Sequence, residues 1–132
     1  MSARNVTVVQ EALRHLNETG EPARHLYSPD LTFTTRGELG GGRTYSGHEG
    51  LEQGLALFRQ VWDRGVTLEL REVVDEGDVV VVVVRAHVAA TGASGPLEAE
   101  ESWATWVRDG LITRVEQYGT RDEAMRAAGL EA

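Results

Sequence analysis

Apolar residues recur at helical spacing near the start of the chain. Val6, Val9, Leu13 and Leu16 fall three or four apart, and Gly20 follows as a stop. This spacing predicts a first helix. A shorter helical piece is expected over Glu21–Leu26, with Pro22 in its first turn. Ser28-Pro29-Asp30 reads as a turn and Leu31–Thr35 as a short strand of β-formers. Four glycines between Gly37 and Gly42 read as a loop. Ser46-Gly47-His48-Glu49 has the Ser-x-x-Glu form of a capping box. The helix it opens carries Leu51, Leu55, Phe58 and Trp62 on one stripe, and Gly65 closes it.

From Val66 onward the period changes to that of strands. Val66–Val74, Asp78–Ala90, Leu97–Arg108 and Leu111–Tyr118 are four extended runs. Asp75-Glu76-Gly77, Thr91–Pro96 and Asp109-Gly110 are the turns between them, the last a tight hairpin signal. Val79–Val84 are six consecutive valines, so this strand is expected to be covered on both faces. The helix layer supplies one cover; a second subunit is the expected other. Thr120-Arg121-Asp122-Glu123 is a second capping box, opening a last helix that ends at Gly129. Helices followed by a long antiparallel meander predict an α+β fold in which the sheet wraps its own helices. There is no repeat or linker, so residues 1–132 are expected to form one domain.

Composition narrows the function. The chain has 132 residues, 41% of them hydrophobic, enough for a real core. A net charge of −8 without any basic run argues against nucleic-acid binding. No apolar stretch reaches the roughly 18 residues of a membrane span. The N-terminal residues lack a signal-peptide core, and there is no cysteine for disulfides or thiolate metal sites. A cytoplasmic protein without membrane contact is expected. The four histidines are scattered without ligand spacing, so no metal is expected. Gly40-Gly41-Gly42 lacks the Lys-Ser/Thr of a phosphate loop, and no Ser-His-Asp set is proposed.

The order helix, short helix, strand, capped helix and four antiparallel strands resembles the nuclear transport factor 2-like superfamily, in its SnoaL-like and ketosteroid isomerase-like branch. Tyr45–Phe58 resembles the segment leading into that family's third helix. Val107–Tyr118 resembles its last hairpin, and Arg121–Leu130 its C-terminal tail. The resemblance implies a cone-shaped, strongly curved, mostly antiparallel sheet with helices on its concave side, a cystatin-like α+β barrel. It implies an apolar pocket with a few polar groups, and a homodimer through the outer sheet face. It does not imply one activity.

The family's isomerases use a carboxylate base on the first strand, with a helix Tyr and a protonated Asp as oxyanion hole. Those positions fall here on Thr35, Ala12 and Trp103, none of which can do that work. Alternation places Leu97, Ala99, Glu101, Trp103, Thr105 and Val107 on one strand face. If Trp103 faces the cone, Glu101 does too. There it can act as general acid or base; alternatively it lies at the strand's open end and is simply solvated. The family frame points Thr113, Val115, Gln117 and Gly119 inward, and Ile112, Arg114, Glu116 and Tyr118 outward. Gln117 is then either a hydrogen-bonding group for a ligand oxygen or a structural amide.

Arg85 and His87 share a face that is either pocket rim or outer surface. His15 sits beside Ala12 and either looks into the cone or is a satisfied helix-flank residue. His25 and His48 carry no expected role. Phe33, Phe58, Trp62 and Trp103 either line a cavity or fill the core. Trp106 faces the other way and is expected to need a partner's cover.

The expected site therefore pairs Glu101 and Gln117 as catalytic groups with Phe33, Thr35, Trp103, Thr105, Val115, His15 and Arg36 as binding residues. No cofactor is expected. The expected ligand is a small apolar organic molecule of polyketide- or terpenoid-like character. The alternative is a non-catalytic homodimer that binds a ligand or partner.

Overall fold

In the computed structural model of the chain, residues 2–35, 43–61, 66–88 and 97–130 are described. Helix α1 spans Ser2–Thr19, and a 3-10 turn at Arg24–Leu26 follows. Strand β1 is Tyr27–Thr34, β2 is Thr44–Ser46 and helix α2 is Gly47–Val61. Four strands come next: β3 (Val66–Glu76), β4 (Val79–Val88), β5 (Leu97–Arg108) and β6 (Leu111–Tyr118). Helix α3, Arg121–Ala127, closes the chain. The strands form one mixed, six-stranded, curved sheet in the order β2-β1-β6-β5-β4-β3. It is open, with β2 and β3 as its free edges. All pairs are antiparallel except β1 with β6, which run parallel.

The valine run explains the layering. Val80, Val82 and Val84 belong to one apolar cluster with Val8, Val9, Ala12 and Leu13 of α1, Leu51 of α2, and Leu31 and Phe33 of β1. This defines the inner face. Val81 points the other way and is fully buried against Ala124 and Met125 of α3. The strand is covered on both faces, as six valines require, but the outer cover at Val81 is the chain's own last helix rather than a second subunit. Thr120 caps that helix: its hydroxyl accepts from Glu123 N–H at 3.2 Å, and the Glu123 carboxylate accepts from Thr120 N–H at 3.2 Å. Gly129, at φ 79°, ends it, with its N–H bonded to Arg126 O and that of Leu130 to Met125 O.

Two hairpins follow their turn chemistry. Asp109 and Gly110 have φ of 53° and 79°, the doubly positive pair of a tight turn matched to strand twist. Gly77 turns β3 into β4 at φ 79°. Two bulges interrupt the ladders, one at Arg71 in β3 and one at Thr113 in β6. Each adds local twist and bends the sheet. The Thr113 bulge corrects the predicted alternation. Trp106 pairs with Arg114 but Val107 with Ile112, so Ile112 turns inward and is buried in the core. Thr113 is the extra residue, its hydroxyl donating to Trp106 O at 3.3 Å.

Three further expectations are corrected. The helical piece at Glu21–Leu26 is a 3-10 turn over Arg24–Leu26. Ser28-Pro29-Asp30 lies within β1, at an irregularity between Tyr27 and Thr32 where a proline's missing N–H does not break the ladder. β2 was not expected. The loop at Gly37–Gly42, Trp62, Gly65, the Thr91–Pro96 turn and Arg36 lie outside the described residues.

Helix α1 is stitched to the β3 edge by two asparagines. Asn17 Oδ1 accepts from Leu68 N–H and its Nδ2 donates to Leu68 O, both at 2.8 Å. The side-chain amide thus stands in for a neighbouring strand. Asn5 Nδ2 donates to Gly77 O at 2.7 Å. Asn17→Ala is expected to cost about 1–3 kcal/mol, because both Leu68 backbone groups lose partners. Faster amide exchange at Leu68 checks it; unchanged exchange would contradict the assignment.

Candidate functional site

The sheet register arranges the inner face in rows. Gln117 of β6 pairs with Trp103 of β5, which pairs with Val82 of β4. Phe33 of β1 pairs with Val115, Val115 with Thr105, and Thr105 with Val80. Glu101 pairs with Val84, which pairs with Leu70 of β3. Thr35 follows Thr34 at the end of β1, on the Phe33 side by alternation. Six of the residues expected from sequence therefore occupy adjacent rows of one face: Phe33, Glu101, Trp103, Thr105, Val115 and Gln117.

Glu101 is buried, with 6% of its surface exposed. It is not the solvated strand-end residue that one reading of the sequence allowed. Trp103 Nε1–H donates to Glu101 Oε1 at 2.9 Å. Residues two apart on a strand share a face, so the indole reaches back to the carboxyl. The bond gives the buried carboxyl a polar partner, which lowers the cost of burying it. Trp103 is partly buried and packs against the inner cluster. Thr105 is buried and Gln117 half-buried.

Thr35 is committed elsewhere. Its N–H bonds Arg43 O at 2.9 Å, and its hydroxyl accepts from Arg43 N–H at 3.2 Å. His15 is held at the end of α1. Its Nδ1 lies 3.0 Å from Glu21 O, a group that only accepts, so Nδ1 carries the proton. The Thr19 hydroxyl is 3.3 Å from the same nitrogen, and the His25 ring meets it edge-on at 6.4 Å. The structure thus gives His15 a helix-flank role and does not bring it onto the inner rows through any described bond.

Arg85 and His87 lie on the outer face. Arg85 pairs with Glu100 at 3.7 Å, and His87 Nε2 is 2.7 Å from Glu69 Oε1. The His87 and Arg71 bonds hold the Glu69 carboxyl below the usual range. Trp106, also outward, is capped by its own strand neighbour: the Arg114 guanidinium stacks 4.2 Å from its ring centroid. Arg114 Nε–H donates to Glu116 at 2.7 Å, and the Tyr118 hydroxyl donates to the same carboxylate at 2.6 Å.

Sequence reasoning missed Gly50 and Gly54, which let α2 approach the sheet. A Cβ on Gly54 would stand 2.9 Å from Phe33 Cε2, and one on Gly50 would stand 3.2 Å from Tyr45 Cβ. The signal was present: two glycines four apart in a helix each cost stability unless something must come close. Tyr27 was missed as well. Its ring packs on the inner cluster, and burial pushes its phenol up to about 12. Loss of water and the bond to Glu116 push Tyr118 up to about 12 as well.

Both shifts favour the protonated phenol in the folded state. The stability they contribute is complete below the unfolded value of about 10 and is lost as pH rises through about 12. An alkaline titration of phenolate absorbance is therefore expected to show a component with a midpoint at about 12, reduced by Tyr118→Phe. Titration entirely near 10 would contradict it.

Among the described residues, no group of three His, Cys, Asp or Glu is placed to hold a metal. No described helix is long and apolar enough to cross a membrane.

The family profile described as SnoaL-like domain matches residues 9–115. No curated protein matches the chain. Among solved structures, TerC co-crystallised with polyporic acid superposes with a TM-score of 0.74 at 22% identity, covering 96% of this chain and 98% of that one. A ketosteroid isomerase-like protein from Catenulispora acidiphila, in complex with trimethylamine, has a TM-score of 0.65 at 20% identity over 95% and 92% of the two chains. A putative polyketide cyclase from Sinorhizobium meliloti has a TM-score of 0.66 at 15% identity over 84% and 93%. These likenesses are of fold.

Proposed function

This chain belongs to the SnoaL-like domain family, and on that premise we propose that it binds a small apolar organic molecule on the inner face of its sheet. The molecule is of polyketide or terpenoid character, and Glu101 moves a proton on it in an isomerisation, cyclisation or hydration. One observation carries the reading: a buried carboxyl on the inner face, held by an indole N–H and flanked by apolar rows. A carboxyl set among apolar rows of the inner face is positioned to exchange a proton with a ligand bound there. Gln117 and Thr105 supply neutral hydrogen-bonding groups on adjacent rows. TerC co-crystallised with polyporic acid and the Catenulispora acidiphila protein in complex with trimethylamine support small organic ligands for this fold.

Side-chain chemistry narrows the reaction. Every one of the 13 Lys+Arg positions is arginine, and there is no cysteine. Schiff-base and thiolate nucleophiles are therefore not supplied by this chain. Proton transfer by a carboxyl needs neither.

A second reading is a homodimer, formed through the outer sheet face, that binds a ligand without turning it over. It is favoured by the inert isomerase positions: the Thr35 hydroxyl is engaged by Arg43 and Ala12 is buried in the core. The test is titration with 2-naphthol, followed by its own fluorescence. Saturable binding that weakens in Gln117→Ala is expected. No binding by the wild-type chain, or identical binding and turnover in Gln117→Ala and Glu101→Gln, overturns the site.

A further inference from the structure

An acid or base must keep one orientation toward the atom it serves, because a misplaced group loses most of its effect. The strand neighbours of Glu101 supply that orientation unequally. On the β4 side it pairs with Val84, which is 1% exposed and offers no polar group. On the other side the β5–β6 ladder starts at Ser102, opposite Tyr118, so no β6 residue pairs with Glu101. The residue that follows β6, Gly119, carries no side chain. The described donor that reaches the carboxyl is the indole N–H of Trp103, 2.9 Å from Oε1.

Trp103 is itself held in place. It pairs with fully buried Val82 on β4 and with Gln117 on β6, and its ring packs against the inner cluster. Residues two apart on a strand have α-carbons about 7 Å apart. The 2.9 Å bond therefore forms only when both side chains lean toward each other along β5. That lean commits both groups: the indole lies toward the Glu101 end, and the carboxyl turns toward Trp103.

We infer that Trp103 is the positioning residue of the proposed proton transfer, its indole N–H holding Glu101 Oε1 so that the carboxyl meets a bound ligand in one orientation. The role rests on Glu101 being the acid or base proposed above. In the step itself the carboxylate takes a proton from a carbon beside a carbonyl. The C–H electron pair moves into the carbonyl group to give an enolate, and the carboxyl then returns a proton to that carbon. Trp103 keeps its own proton throughout. Its bond to Glu101 is made without a ligand, so its loss is expected in turnover rather than in binding. The sequence places Trp103 among the binding residues; here it acts through the carboxyl instead.

The test is hydrogen exchange beside the carbonyl of 2-tetralone, followed by NMR in deuterated buffer over a range of ketone concentrations. Trp103→Phe keeps an aromatic ring and removes the donor. It is expected to lower kcat about tenfold to a hundredfold and to change KM by less than about twofold. A raised KM with unchanged kcat would make Trp103 a binding wall and overturn the inference, as would no change in either. Should both constants move, or Trp103→Phe fail to fold, Trp103→benzothienylalanine decides, since it keeps the bicyclic shape with sulfur in place of the N–H. The same fall in kcat is expected there, and turnover at the wild-type rate overturns the positioning role. Exchange that Glu101→Gln abolishes and the Trp103 variants leave intact removes that role alone. If the wild-type chain exchanges nothing, the proton-transfer reading falls and the role of Trp103 with it.

Discussion

Glu101→Gln is expected to slow proton exchange beside the carbonyl of 2-tetralone by a factor of about 100 to 10,000, the usual contribution of a positioned general acid or base. The substitution is close to isosteric. The Gln carbonyl oxygen still accepts from Trp103 Nε1–H, which sits 2.9 Å from the carboxylate oxygen in the native chain. What is lost is the capacity to take up a proton. Stability is expected to change much less than activity, because the amide keeps the shape of the side chain and the partner of the indole. Glu101→Leu separates the two effects. It also ends exchange, but it strands the indole N–H and costs about 1–3 kcal/mol. Exchange measured by NMR in deuterated buffer, beside thermal unfolding of both variants, gives the comparison. Exchange as fast in Glu101→Gln as in the wild type would remove Glu101 from the chemistry.

Local signals predicted local structure well. Asp109-Gly110 adopts the doubly positive φ pair that its residues favour, and Thr120–Glu123 forms both bonds of its capping box. The Leu97–Arg108 and Leu111–Tyr118 strands have the expected bounds. The face shared by Glu101, Trp103 and Thr105 follows from alternation alone, and it carries most of the candidate site. Illegible features are those set by distant parts of the chain. The parallel pairing of β1 with β6 joins segments some eighty residues apart and leaves no local mark. The Thr113 bulge shifts the phase of β6 by one residue, so a strict period of two sent Ile112 to the wrong face. Alternation places Glu101 on a face but cannot say how deep it lies. Depth depends on how α1 lies over the sheet, and the asparagine bonds to Leu68 and Gly77 that hold it are long-range. The outer cover of Val81 needed the last helix to fold back, which its own amphipathic pattern does not reveal.

Leu31→Ala is expected to destabilise the fold by about 2–5 kcal/mol, the range for deleting a buried leucine side chain beyond its β-carbon. Leu31 has 0% exposure and sits in the inner cluster with Phe33, Leu51 and Ile112. Its strand pairs with β6 on one side and the three-residue β2 on the other. β2 is too short to hold β1 in register, so β1 depends on β6 and on side chains locked under α1 and α2. The site is relaxed only with difficulty: a Cβ on Gly54 of α2 would already touch the Phe33 ring, so the helix cannot move closer at that point to fill the space. A cavity therefore persists, which puts the expected loss in the upper part of the range. For a domain held by about 5–15 kcal/mol this is a large fraction of the total. Urea unfolding is expected to show a lower midpoint with an unchanged slope, since the surface exposed on unfolding hardly differs. Leu130→Ala, at a half-buried position on the outer face, serves as the comparison and is expected to cost well under half as much. Equal losses at the two positions would mean that β1 is not locked into the inner core. Phe33, carried on that strand, would then lack the rigid support that a binding face requires.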